Sequence, residues 1–180
     1  MPSNQPIGIF DSGFGGLTVA RAIIDLLPSE DIVYFGDTSR YPYGPQPLEE
    51  VKSYSQQISD YLIAEHNVKM IVIACNTASA AAEGDLRNSK EIPIVGVITP
   101  GAQAVAEVSS TKRIGVIGTV GTINSQAYDK AIKGISPENI ELVSVACPGF
   151  VEFVERGEFE GEQVRILADR LLAPVIQADV

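Results

Sequence analysis

IVIACNTASAAA, residues 71–82, decides how the chain is read. An apolar, β-branched run ends on Cys75. Asn76-Thr77-Ala78-Ser79 follows, and then a string of alanines. β-Branched residues favour strands and alanine favours helices. The stretch therefore reads as a strand turning into a helix, with the cysteine at the junction.

Working outward, the same alternation recurs. IGIF (7–10) is a buried-strand candidate, broken by Asp11-Ser12-Gly13-Phe14-Gly15-Gly16. LTVARAIIDLL (17–27) has apolar residues at helical spacing and Pro28 beyond its end. DIVYFGD (31–37) is a second strand, and TSRYPYGPQP a proline-rich loop. LEEVKSYSQQISDYLIAE (48–65) is an amphipathic helix, KMIVIA (69–74) a strand, and IPIVGVI (92–98) a further strand. The pattern restarts at KRIGVIG (112–118), followed by Thr119-Val120-Gly121-Thr122, a helix near 123–133, and the strand IELVSVA (140–146). FVEFVERGE and EQVRILADRLLAPVIQ supply helical pattern to the end. Strands alternating with helices predict an α/β fold whose sheets are parallel and flanked by helices.

Two similar halves are expected, 1–97 and 98–180, forming two pseudo-symmetric domains each with a central, mostly parallel sheet. In the first half, strands begin near 7, 33 and 71; in the second, near 114 and 142. The step from 33 to 71, repeated from 142, reaches the last residue, 180. Spacing therefore predicts that the second half is incomplete and lacks its own IVIACNTAS.

Composition narrows the function. The net charge is −10 and the pI about 4.5, without the basic footprint of a nucleic-acid binder. No apolar stretch approaches the ~20 residues of a membrane span. MPSNQPIGIF lacks the basic-then-apolar pattern of a secretory signal. The two cysteines, Cys75 and Cys147, have no metal-type spacing. An acidic, intracellular protein is expected.

Parallel sheets place ligands at the carboxyl ends of their strands. Asp11-Ser12, Tyr43-Gly44 and Cys75-Asn76-Thr77 all fall there and should converge on one rim, where helix N-termini suit an anion. A helix N-terminus favours the thiolate of Cys75; the alternative is a small buried hydrophobe at a strand end. Asp11 could assist the thiol or cap a helix.

Several chemistries are excluded. A cysteine hydrolase needs a histidine base, but His66 precedes strand KMIVIA, roughly 15–20 Å from Cys75 at about 3.3 Å per residue. A Cys-x5-Arg phosphatase loop fails at Ala81. Neither Gly-rich stretch fits a P-loop or G-x-G-x-x-G. Thiol acid–base work next to a carboxylate remains, with the developing charge held by fixed donors.

IGIFDSGFGGLTV, YFGDTSRYPYG, IVIACNTASA, IPIVGVI, IGVIGTVGT and ACPGFVEFVE, in this order and at these spacings, strongly resemble the bacterial glutamate racemases. The resemblance spans nearly the whole chain. It implies a cofactor-independent, metal-free enzyme of two α/β domains with the site between them. That enzyme interconverts L- and D-glutamate in the cytoplasm for peptidoglycan synthesis. It implies two thiols on opposite faces of the α-carbon, of which Cys75 matches the first. Asp11 and Ser12 match a substrate-binding pair, with Asp11 an aid to the thiol. Tyr43, Gly44, Asn76 and Thr77 match further substrate contacts, and Thr119 and Thr122 match hydroxyls from the second domain. A homodimer is carried as an expectation. The family's second thiol lies in a Gly-Cys-Thr-His stretch that this sequence does not contain, and Cys147, in ACPGF, resembles a non-catalytic segment. One thiol alone predicts α-proton exchange without inversion. An aspartate racemase and a carboxylate-binding module are the rival readings.

Overall fold

The structure is a computed structural model that describes residues 4–135 and 140–180. The first three residues of MPSNQPIGIF lie outside the described residues. The chain divides into two compact units, Met1–Val97 and Ile98–Val180, and each is an α/β arrangement with a parallel sheet flanked by helices.

In the first unit β1 (Ile7–Asp11), β2 (Ile32–Gly36), β3 (Met70–Ile73) and β4 (Ile94–Gly96) pair in parallel in the order β2-β1-β3-β4. Ile9 stands opposite Tyr34 on one side and Val72 on the other. Side chains alternate across a strand, so the two faces separate cleanly. Ile7, Ile9, Val72 and Ala74 pack with Ala20, Val19 and Ile23 of α1 (Leu17–Leu26). Phe10, Ile71 and Ile73 face the other way, onto α2 (Leu48–His66) and α3 (Asn76–Ser89). Both faces are covered, so β1 and β3 read as continuous apolar runs rather than as alternating ones.

Helix α2 buries Val51, Ser55, Ile58, Ser59 and Leu62 at helical spacing. The two buried serines satisfy their hydroxyls within the helix, Ser55 on the Val51 carbonyl and Ser59 on the Ser55 carbonyl, each at 2.7 Å. The helix ends at Asn67, which takes the left-handed conformation at φ 49°. Helix α3 buries Thr77, Ala78, Ser79, Ala82 and Leu86. These residues are small apart from Leu86, which lets the helix lie close against the sheet.

In the second unit β5 (Arg113–Gly118) and β6 (Glu141–Ala146) pair in parallel along their whole length. Ala102 of α4 (Ile98–Val108), Ile114 and Ile132 of α6 (Ala127–Ile135) form its core. Helix α8 (Glu162–Gln177) packs on β6, and Arg113 fixes its end by pairing with Asp179 at 2.9 Å and donating to the Ala178 carbonyl.

Three local expectations are corrected. The strand read as 92–98 is only Ile94–Gly96, and Ile98 opens helix α4. Pro100 lies in that helix's first turn, where no backbone N–H is needed. The helix read near 123–133 is two, α5 (Val120–Asn124) and α6. Gln126 turns left-handed between them at φ 56°, while Ser125 Oγ donates to the Thr122 carbonyl and accepts from the Ala127 N–H. The helix begun at FVEFVERGE is α7 (Phe150–Glu155) and stops ahead of Gly157, at φ 73°.

Candidate active site

The carboxyl ends of β1, β2 and β3 meet on one side of the first unit, as parallel pairing requires. Asp11 ends β1 and is buried. Its Oδ2 accepts the backbone N–H groups of Gly13 at 3.1 Å and Gly16 at 3.0 Å. The N-cap reading of Asp11 is corrected: Gly16 is the N-cap of α1, without a side-chain cap bond, and the Asp11 carboxylate instead gathers the turn that leads into the helix. The turn is tight. A Cβ at Gly16 would stand 2.6 Å from the Asp11 Cβ and 2.9 Å from the Ala74 Cβ.

Cys75 follows β3 and is the N-cap of α3, its Sγ accepting the Ala78 N–H at 3.4 Å. The thiol donates to the Ser12 Oγ at 3.6 Å. Cys75 is 7% exposed and belongs to the core cluster, while its sulfur reaches the Ser12 hydroxyl at the strand ends. The expectation of a lowered thiol pKa is corrected. Burial pushes the thiol up, and the Asp11 charge adds to this; the Ala78 N–H and the Ser12 hydroxyl and backbone pull the other way without prevailing. At rest the site holds the thiol form, a weaker acid than a free cysteine. Its conjugate thiolate is a strong base.

Asn76 and Thr77 are the first two residues of α3, Asn76 exposed and Thr77 buried. The helix dipole and first-turn amides favour an anion at this position.

Tyr43 and Gly44 are both buried, and Tyr43 shares a core cluster with Cys75, Phe10 and Val51. The Tyr43 hydroxyl donates to Asp37, a residue that the sequence reading passed over as part of a strand. Asp37 is 3% exposed and also accepts from Arg40 Nε at 2.6 Å and Ser39 Oγ at 3.0 Å. Burial, then the bond to Asp37, pushes the Tyr43 hydroxyl far above its usual range. Gln46 closes the same loop by donating to the Arg40 carbonyl at 2.5 Å and the Pro42 carbonyl at 3.0 Å.

In the second unit Thr119 is the N-cap of α5, its Oγ1 accepting the Thr122 N–H at 3.3 Å, with the two hydroxyls 3.0 Å apart. Cys147 follows β6 and is buried; its N–H donates to the Gly118 carbonyl at 2.8 Å and its thiol to the Val145 carbonyl at 3.8 Å. Burial alone pushes that thiol up. Both cysteines are free thiols. His66 ends α2, at the amino end of β3, with Nε2 3.4 Å from the Tyr61 hydroxyl. Among the described residues, no three His, Cys, Asp or Glu side chains gather as a metal-ligand set, and no helix is long and apolar enough to cross a membrane.

The family described as Asp/Glu/Hydantoin racemase matches residues 8–179. A glutamate racemase of Parafrankia sp. is 51% identical over 99% of this chain and 63% of its own length. One from Bacillus cereus is 44% identical over 100% of this chain and 66% of its own. The crystal structure of glutamate racemase isoform RacE1 from Bacillus anthracis superposes with a TM-score of 0.90 at 43% identity, over 95% of this chain and 64% of that one. The Francisella tularensis glutamate racemase, solved with D-glutamate, gives 0.86 at 42% identity, over 94% of this chain and 63% of that one. The chain thus spans less than two thirds of the length of these relatives.

Proposed function

Because the chain belongs to the Asp/Glu/hydantoin racemase family, we propose that its site carries glutamate racemase chemistry, the interconversion of L- and D-glutamate, with Cys75 moving the α-proton on one face. The observation that carries this reading is the Cys75 thiol set at the N-terminus of α3, against Ser12 and within the field of Asp11. The substrate carboxylate lies against the first turn of α3, with Asn76 and Thr77 as its contacts and Tyr43-Gly44 and Ser12 completing the rim.

The proton balance is simple. The Cys75 thiolate takes the α-proton and becomes S–H, and the electron pair left on carbon spreads into the carboxylate, where fixed N–H donors hold it. Return of a proton from Cys75 restores the starting configuration. Delivery by a second group on the opposite face inverts it. A thiol pushed up by burial is rarely ionised but strongly basic when it is, which suits removal of a very weakly acidic proton. Asp11 raises that basicity through its charge. In this reading the product serves peptidoglycan synthesis in the cytoplasm.

The test is incubation of this chain with each enantiomer of glutamate and of aspartate in heavy water, followed by proton NMR, chiral chromatography and binding measurements. Binding of glutamate in preference to aspartate, with exchange of its α-proton and without net inversion, is the expected result for a single thiol. Preference for aspartate assigns the site to the shorter substrate. Absence of both binding and exchange with either amino acid overturns the proposal.

A further inference from the structure

Asp37 is a buried carboxylate at the end of β2, and its bonds all lead toward the rim. Its backbone N–H donates to the Asp11 carbonyl at 2.9 Å, which joins it to the residue facing Cys75. Its Oδ2 accepts both the Tyr43 hydroxyl and Arg40 Nε at 2.6 Å, and its Oδ1 accepts Ser39 Oγ at 3.0 Å. The loop it gathers, 38–46, is otherwise short of regular structure. Arg40 is held in turn by Gln57 at 3.0 Å and by the Tyr54 ring, 4.4 Å below its guanidinium. Tyr54 packs beside Tyr43 with ring centroids 5.7 Å apart. A loop of this kind has many accessible conformations, each costing entropy to exclude. A single buried carboxylate with three side-chain donors excludes most of them.

We propose that Asp37 is a positioning residue, whose carboxylate gathers the 38–46 loop and sets the Tyr43-Gly44 corner in place beside Cys75. The inference rests on the reading of this rim as the substrate site. Asp37 itself touches no substrate; it acts through Tyr43. Charge is secondary to geometry here. An asparagine could keep one oxygen toward Tyr43 and Arg40 and turn its amide toward the Ser39 hydroxyl, which can accept. An alanine loses all three bonds.

The experiment uses the full chain and the variants Asp37→Ala, Asp37→Asn and Tyr43→Phe, each checked for folding by circular dichroism. Two readouts are taken: KM and kcat for exchange of the α-proton of D-glutamate in heavy water, and the rate of Cys75 alkylation by iodoacetamide, followed by mass spectrometry. A rim contact made equally in ground and transition state shows in KM. For Asp37→Ala the expected KM rise is about tenfold, with kcat changed by less than about threefold. Tyr43→Phe moves the same way, and Asp37→Asn recovers most of the loss. A loosened corner also uncovers Cys75, so alkylation should speed up about fivefold or more in Asp37→Ala and Tyr43→Phe. Folded variants with unchanged KM and unchanged alkylation overturn the proposal. Should the wild-type chain exchange no α-proton, the racemase reading fails while alkylation still decides the role of Asp37, by a rise or its absence. Should Asp37→Ala not fold, Tyr43→Phe decides it.

Discussion

The Cys75 thiol donates to the Ser12 hydroxyl across 3.6 Å, although the two residues are 63 positions apart in the chain. The bond joins the ends of β1 and β3 and makes Ser12 a direct partner of the thiol. The hydroxyl can reverse its role and donate once the sulfur is ionised, so it favours the thiolate.

Substitutions at the two neighbours of the thiol should therefore move its titration in opposite directions. Ser12→Ala removes a donor to the thiolate and raises the pKa of Cys75 further. Asp11→Asn removes a nearby negative charge and lowers it. Thiolate ultraviolet absorbance, read in a Cys147→Ala background, measures both. Shifts of the same sign in the two variants would refute this picture of the site.

The raised thiol pKa also ties stability to pH. A thiol that ionises at higher pH in the folded chain than in the unfolded one keeps its proton longer in the native state. Its contribution to stability is complete below the unfolded thiol pKa of about 8.5 and is lost as pH rises through the folded value. Tyr43 adds a similar loss that starts from about pH 10, the unfolded tyrosine value. Urea midpoints should fall as pH is raised from about 8 to 10, and Cys75→Ser should flatten that slope. An equally steep decline in Cys75→Ser would show that another group governs it.

Two glycines should respond in opposite senses to alanine. At Gly16 the new Cβ meets Asp11 and Ala74 Cβ atoms, both fixed to packed strand ends, and the expected cost is about 1–3 kcal/mol. At Gly84, exposed within α3 and with nothing within 4 Å, alanine should add about 0.5–1 kcal/mol. Thermal unfolding of the two variants provides the comparison. A Gly16→Ala protein as stable as wild type would mean that the turn below α1 is looser than described.

How far the fold and site are legible in the sequence depends on the range of the forces involved. The 71–82 stretch is read correctly because strand propensity, helix propensity and the N-cap act locally. The α4 helix is misread because Ile94, Val95, Val97 and Ile98 look like one strand; what divides them is pairing with β3, which stops at Gly96 opposite Ile73. The Cys75 pKa is misjudged in direction, since the helix N-terminus is visible in sequence and the burial that outweighs it is not. Asp37 is missed for a related reason. Its partners Ser39, Arg40 and Tyr43 are close by in sequence, but nothing there shows that the carboxylate is buried and that its backbone meets Asp11.

The most direct test of the central claim is deuterium uptake at the α-carbon of D-glutamate in heavy water, measured by proton NMR with the wild-type chain, Cys75→Ser and Cys147→Ser. The account predicts exchange that is abolished in Cys75→Ser and retained in Cys147→Ser. Exchange that survives the loss of Cys75 would contradict it.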